Sequence, residues 1–89
     1  MKELLIHLDS RLKMPLYEQI SRFIKGEIQS GKISAGERLP SARALAAQLA
    51  VSRSTVDLAY GQLLSEGYLD SVPCRGYFAG NVKELYRLG

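Results

Sequence analysis

Ser52, Arg53, Ser54 and Thr55 put one guanidinium and three hydroxyls into four consecutive positions. A guanidinium can grip a phosphate or the paired acceptors on a guanine edge, and hydroxyls reach base edges or adjacent phosphates. Arg38, Ser41 and Arg43 lie shortly upstream, and Arg75-Gly76 lies downstream. From Arg38 to Val56 there are three arginines and no acidic residue, whereas Glu3, Asp9, Glu18, Glu27, Asp70 and Glu84 lie nearer the chain ends. Such a pattern suits a polyanion. A solvated surface over an ordinary helical corner accounts for the same three arginines, and at this level both readings stand.

Catalytic chemistry is not legible. His7 is the only histidine and has no cysteine or carboxylate at ligand spacing, which argues against a metal site. Cys74 is the only cysteine, so an internal disulfide framework is excluded, and nothing beside it marks a reactive thiol. No nucleophile, base and acid fall into a constellation, and none of Lys2, Lys13, Lys25, Lys32 or Lys83 sits in a cofactor motif. An enzyme is rejected for this chain.

The elements that must position these groups follow from periodicity. Leu45, Ala46 and Leu49 recur at helical spacing, as do Val56, Ala59, Tyr60 and Leu63, with Ala50-Val51 as the corner between them. Ser41 and Ser52 stand where each helix needs an N-cap. The second helix is expected from Arg53 to about Glu66, stopped by Gly67, with Arg53, Ser54, Asp57, Gly61 and Gln62 on its open face. Arg43 in the first turn of its helix opposes the helix dipole, which a phosphate or the nearby Glu37 would offset. Asp57 would be repelled by phosphates; it can accept from a cytosine amino group, pair with Arg53, or turn away.

Upstream, Pro15 opens a helix whose stripe is Leu16, Ile20, Phe23, Ile24 and Ile28, closed by Gly31. Leu4 to Leu8 is a short strand or a docked arm, and Asp9 to Met14 a loop. Lys32 to Pro40 is a connector, extended where Arg38 and Leu39 precede Pro40. Downstream, 68–72 and 76–79 read as two strands joined by Pro73-Cys74-Arg75, a hairpin wing with Arg75 and Gly76 at its tip. The fold class is therefore α+β, mainly α: a winged helix-turn-helix of three helices and a two-stranded wing. Residues 1–14 form an arm, 15–80 the domain, and 81–89 the start of a connection to a C-terminal domain outside this chain. With 89 residues, 46% hydrophobic and 24% charged, at a net charge of +3, one modest core is all the chain can build. The longest apolar run is too short to cross a membrane and lacks a cleavage pattern. One free cysteine suits a reducing cytoplasm.

The strings PLYEQI, GERLPSARALAAQLAVSRSTV, AYGQLLSEGYLDS and RGYF, in that order, resemble the N-terminal domain of the GntR family of bacterial transcription regulators over about residues 15–79. AY followed by GYLDSVPCRGYF is most similar to the MocR subfamily, whose large C-terminal domain resembles a pyridoxal-phosphate-dependent aminotransferase; a YtrA-like protein with a short helical tail is the second possibility. The resemblance implies a double-stranded DNA operator as partner, contacted by Arg43, by Ser52, Arg53 and Thr55, and by Gly76, with Arg38 and Ser41 as further phosphate contacts. On that footing helix 53–66 would enter the major groove, with Ser54 reaching it beside Arg53 and Thr55, and Arg75-Gly76 would enter the minor groove. A MocR-like identity implies pyridoxal phosphate in the full-length protein but no cofactor in this chain, and a homodimer joined through the C-terminal domain. Two departures stand out: Asp57 replaces an arginine common in relatives, and PSAR replaces PSER, so Ala44 removes the capping box. A winged helix used for protein contacts, or a fragment of an enzyme, are the rival readings.

Overall fold

Helix α1 (Leu16–Ser30) forms because Ile20, Ile24 and Ile28 return on one stripe, and all three are buried in the computed structural model, which describes residues 6–80. Pro15 stands at the N-cap and has no cap side chain; its carbonyl accepts from the Glu18 and Gln19 N–H groups instead. Phe23 and Tyr17 are partly buried against the same core. Ser21 is buried as well, a polar residue on the apolar stripe that returns its hydroxyl to the Glu18 carbonyl at 3.1 Å.

The segment before α1 is fastened by one side chain. The Gln19 amide accepts from the Asp9 N–H at 2.9 Å and donates to the Asp9 and Met14 carbonyls, each at 2.9 Å. Ile6 and Leu8 pack on the core without regular structure, which favours the docked arm over the strand for that part of the run; Leu4 and Leu5 lie outside the described residues. Residues 81–89, read as the start of a connection, also lie outside them.

Helices α2 (Ala42–Leu49) and α3 (Arg53–Ser65) make the corner. Ser41 Oγ accepts from the Ala44 N–H at 3.1 Å, and Ser52 Oγ from the Thr55 N–H at 3.3 Å, so each serine satisfies a donor the helix cannot. The turn itself is closed by Ala50 at φ 57°, ψ 42°, with the Ala50 N–H bonded to the Ala47 carbonyl and the Val51 N–H to the Ala46 carbonyl. That is the Schellman arrangement. Helices α1 and α3 place Gly31 and Gly67 in the left-handed position, whereas α2 places an alanine there.

Strands β1 (Leu69–Val72) and β2 (Gly76–Ala79) pair antiparallel, Leu69 opposite Ala79 and Val72 opposite Gly76. The link is a turn with Pro73 second and Cys74 third, closed by the Arg75 N–H on the Val72 carbonyl at 3.0 Å. Cys74 takes φ 64°. At the other end of the hairpin, Gly80 allows an approach no other residue can: a Cβ there would stand 2.5 Å from the Gly67 carbonyl oxygen.

The connector does more than its sequence announces. Arg38 pairs antiparallel with Phe78, Leu39 donates to the Tyr77 carbonyl at 2.9 Å, and Ala79 donates to the Glu37 carbonyl at 2.8 Å. The extended stretch expected before Pro40 is thus a one-rung third strand on the free edge of β2. Of the two partners open to Arg43, Glu37 is not taken: its carboxylate accepts from the Ser34 N–H instead.

The core lies where α1 and α3 face one another, with Ile20, Ile24, Leu45, Val56 and Leu63 sealed from solvent. At its edge Lys25 pairs with Glu66 and lies 5.2 Å from the centre of the Tyr68 ring, while Gln29 donates to the Tyr68 hydroxyl at 2.9 Å. The hydrogen bond from Lys25 holds the Glu66 carboxyl below its ordinary range, against a smaller opposing effect of burial.

Two outcomes follow. Ala50→Gly relieves a left-handed alanine and raises unfolding free energy by about 1 kcal/mol in urea titrations. Because the native Glu66 pKa is depressed, its pair with Lys25 contributes fully above the ordinary carboxylate pKa and is lost as pH falls through the native one. The stability gap between the protein and Glu66→Gln, up to about 1 kcal/mol at neutral pH for a partly exposed pair, therefore closes on acidification.

Candidate nucleic-acid interface

The first turn of α3 presents the Ser52–Thr55 string as a unit. Ser52 Oγ lies 3.1 Å from Ser54 Oγ and 2.8 Å from Thr55 Oγ1. Three hydroxyls hold three protons, and two oxygen–oxygen contacts use two of them. One O–H remains for an outside acceptor, close to the positive end of the helix dipole. Ser52, Arg53 and Ser54 are exposed; Thr55 is half-buried.

Arg53 and Asp57 are paired along the helix at 3.8 Å, with side chains 68% and 52% exposed. Of the three dispositions open to Asp57, pairing with Arg53 is the one adopted. At that length and exposure the pair is loose, worth a few tenths of a kcal/mol by the general measure of such pairs. An outside acceptor can compete for the guanidinium.

Four other arginines have no carboxylate partner among the described residues, all exposed: Arg22 on α1, and Arg38, Arg43 and Arg75. Arg43 sits in the first turn of α2, directly after the Ser41 cap. Arg75 sits in the wing turn. Arg38 is carried to the wing by its rung with Phe78, and its side chain lies beside the bare Cα of Gly76: a Cβ there would be 3.6 Å from Arg38 Nε and 3.8 Å from Nη2. Gly76 also takes φ 111°, a conformation that side chains rarely adopt. Arg38 and Gly76, 38 positions apart in sequence, are thus neighbours.

One buried tyrosine ties these parts together. The Tyr60 hydroxyl on α3 donates to the Pro40 carbonyl at 2.7 Å, immediately before the Ser41 cap of α2. Its ring meets that of Tyr77 on β2 edge to face, centroids 4.7 Å apart. Burial, and secondarily the neighbouring Tyr77, push the Tyr60 hydroxyl far above the ordinary phenol range, so it remains a donor. Sequence reasoning placed Tyr60 on the apolar rear face; its hydroxyl partner is twenty residues upstream, and no local pattern reveals it.

The sequence pattern described as bacterial regulatory proteins, gntR family, matches residues 16–78. The chain belongs to the GntR family. Within it, the chain is 49% identical over 76 residues to the uncharacterized HTH-type transcriptional regulator YhdI of Bacillus subtilis, across 85% of this chain and 16% of that protein. It is 42% identical over 64 residues to the probable rhizopine catabolism regulatory protein MocR of Rhizobium meliloti, across 72% of this chain and 13% of that one. The chain therefore spans a small part of these curated relatives. Among solved structures, YtrA from Sulfolobus acidocaldarius, a GntR-family transcription factor, superposes with a TM-score of 0.81 at 34% identity, covering 96% of this chain and 92% of its own. The AraR DNA-binding domain in complex with operator ORR3 superposes with a TM-score of 0.72 at 36% identity, covering 83% and 89%. The winged helix-turn-helix class expected from the sequence is the fold of this GntR domain.

Sequence reasoning left Leu58 out of the open face of α3. It is 59% exposed there, the largest exposed apolar side chain of that helix. Its exposure was available from helical spacing alone, since it lies four residues after Ser54.

Tyr60→Phe keeps the ring contact and strands the Pro40 carbonyl. The expected cost is about 1–3 kcal/mol in chemical denaturation, the penalty of a buried unsatisfied acceptor.

Proposed function

We propose that this GntR domain is the operator-reading module of a bacterial transcription regulator. The observation that carries the proposal is the distribution of charge: four exposed arginines on the α2 start, the α3 start and the wing, three of them without a carboxylate among the described residues. A surface that leaves guanidiniums unneutralised on three adjoining elements suits a polyanion better than a protein partner. The operator complexes of the similar AraR domain support the same reading.

In this mechanism α3 enters the major groove from its N-terminal end. Arg53 exchanges its loose contact with Asp57 for a guanine edge, Ser54 and Thr55 reach base edges or the nearest phosphates, and the spare hydroxyl proton of the Ser52 cluster goes to a phosphate. Arg43 and Ser41 hold phosphates at the start of α2, where the dipole assists. Arg38 and Arg75 flank Gly76, and together they form the part that enters the minor groove, whose narrow stretches attract arginine. Two such modules, about one helical turn apart on DNA, give a useful specificity ratio, so the working protein is a homodimer in the cytoplasm.

The pairing of AY with GYLDSVPCRGYF, and the small share of the MocR-type relative that the chain covers, favour a MocR-like protein. Residues 81–89 then begin the linker to a C-terminal domain that dimerises and binds pyridoxal phosphate. The described lysines do not fit that cofactor: Lys25 is committed to Glu66 and Tyr68, Lys32 pairs with Glu27, and Lys13 is exposed on the loop before α1. Any cofactor would be held outside them. The YtrA-like alternative rests on the likeness to the S. acidocaldarius protein, 92% of whose solved chain is covered.

Binding titrations at several salt concentrations test the proposal. Arg43→Ala should weaken all sequences alike and lower the salt slope by about one. Arg53→Ala should cost about 1–3 kcal/mol and relax preference at one base position. Wild-type binding that ignores salt, or that survives both substitutions unchanged, would mean the wing and helix serve a protein partner.

A further inference from the structure

The outward face of α3 holds a feature that neither the fold nor the charge pattern explains. Ser54, Leu58, Gly61 and Ser65 succeed one another at spacings of three and four, on the side opposite Val56, Ala59, Tyr60 and Leu63, and all four are exposed. Leu58 is set among small and polar neighbours, so it forms no apolar patch of the kind protein partners use. Gly61, one turn further on, meets nothing: no heavy atom lies within 4 Å of where its Cβ would be. Gly80 is glycine because the backbone of Gly67 crowds it, whereas Gly61 has no such reason inside the chain. A glycine inside a helix costs about 1 kcal/mol relative to alanine. An exposed leucine and a bare backbone on one face thus have no evident purpose in the folded domain by itself.

We infer that Leu58 is a specificity-determining residue that reads the C5-methyl group of a thymine in the major groove, and that Gly61 provides the close approach this contact needs. The inference rests on the operator-reading role proposed above. Among the groups that the four bases display in the major groove, the thymine methyl is the apolar one; the rest are hydrogen-bond donors and acceptors. Leu58 offers neither donor nor acceptor, so the methyl is the base feature it complements. Asp57 does not obstruct the approach, because it projects about 100° round the helix from Leu58, whether or not Arg53 stays with it. The missing Cβ at Gly61 lets the helix backbone settle closer to the groove wall, which carries Leu58 inward. The reading turn of α3 accordingly has two parts: charged and hydroxyl donors in its first turn, and one apolar probe in its second.

The test begins with selection of bound duplexes from a random pool by this chain, followed by replacement of each thymidine in the selected site by deoxyuridine. Uridine keeps every hydrogen-bonding group and removes only the methyl. Wild type should lose about fourfold in affinity at one thymidine per half-site, the worth of one buried methyl-sized group. Leu58→Ala should bind the thymidine and deoxyuridine duplexes equally, and Leu58→Met should retain part of the preference. Gly61→Ala should reduce the methyl effect while leaving the fold intact, as read by an unchanged or raised unfolding midpoint. A methyl scan that is flat for wild type, or identical for wild type and Leu58→Ala, overturns the inference while leaving salt-dependent, Arg53-dependent operator binding in place. If wild type selects no sequence and its binding ignores salt, the operator-reading role itself fails, and the inference fails with it.

Discussion

The hydrogen bond from the Tyr60 hydroxyl to the Pro40 carbonyl is the constraint through which the parts of this domain keep their relative places. It runs from the rear of α3 to the residue before the α2 cap, and the same ring is seated on Tyr77 of the wing. A leucine at this position would fill the space and leave the carbonyl without a donor in a buried setting. The hydroxyl converts a packing contact, which tolerates sliding, into one with a fixed length and direction. Helix spacing, the start of α2 and the wing are thereby referred to one atom.

The connector supplies the second restraint. By pairing Arg38 with Phe78 it welds the chain ahead of α2 to the free edge of the hairpin, so the wing is held from both sides: by Gly80 against Gly67 at its base, and by 36–39 along its edge. Two four-residue strands alone would be marginal in water. The rung also places a cation beside the one wing residue with no side chain. Charge delivered from the connector and shape supplied by the hairpin meet at that point, although they are written far apart in the chain.

What the sequence made legible is what depends on local order. Helix α1 was visible in the recurrence of Ile20, Ile24 and Ile28, the corner in the serine caps at 41 and 52, and the wing in its turn chemistry at Pro73 and Gly76. The long-range pairings were not visible: Tyr60 with Pro40, Arg38 with Gly76, and Gln19 with Asp9 and Met14 leave no periodic trace. The alternatives left open around Asp57 and Glu37 were decided by geometry, each carboxylate taking a local partner on its own segment. Leu58 was legible too: the expected faces include it on neither side, yet spacing alone puts it opposite the core.

The two faces of α3 answer to different demands. Val56, Ala59, Tyr60 and Leu63 are wholly enclosed, and changes there disturb packing that the whole domain shares. Ser54, Asp57, Leu58 and Gly61 project from the same helix into solvent, where substitutions generally shift stability by no more than about 0.5 kcal/mol. Mutations on the outward face are therefore nearly independent of those on the inward one. A lineage carrying this helix can rewrite its outward surface residue by residue, through intermediates that all remain folded, and so drift to a new recognition surface without crossing a valley of unfolded ancestors.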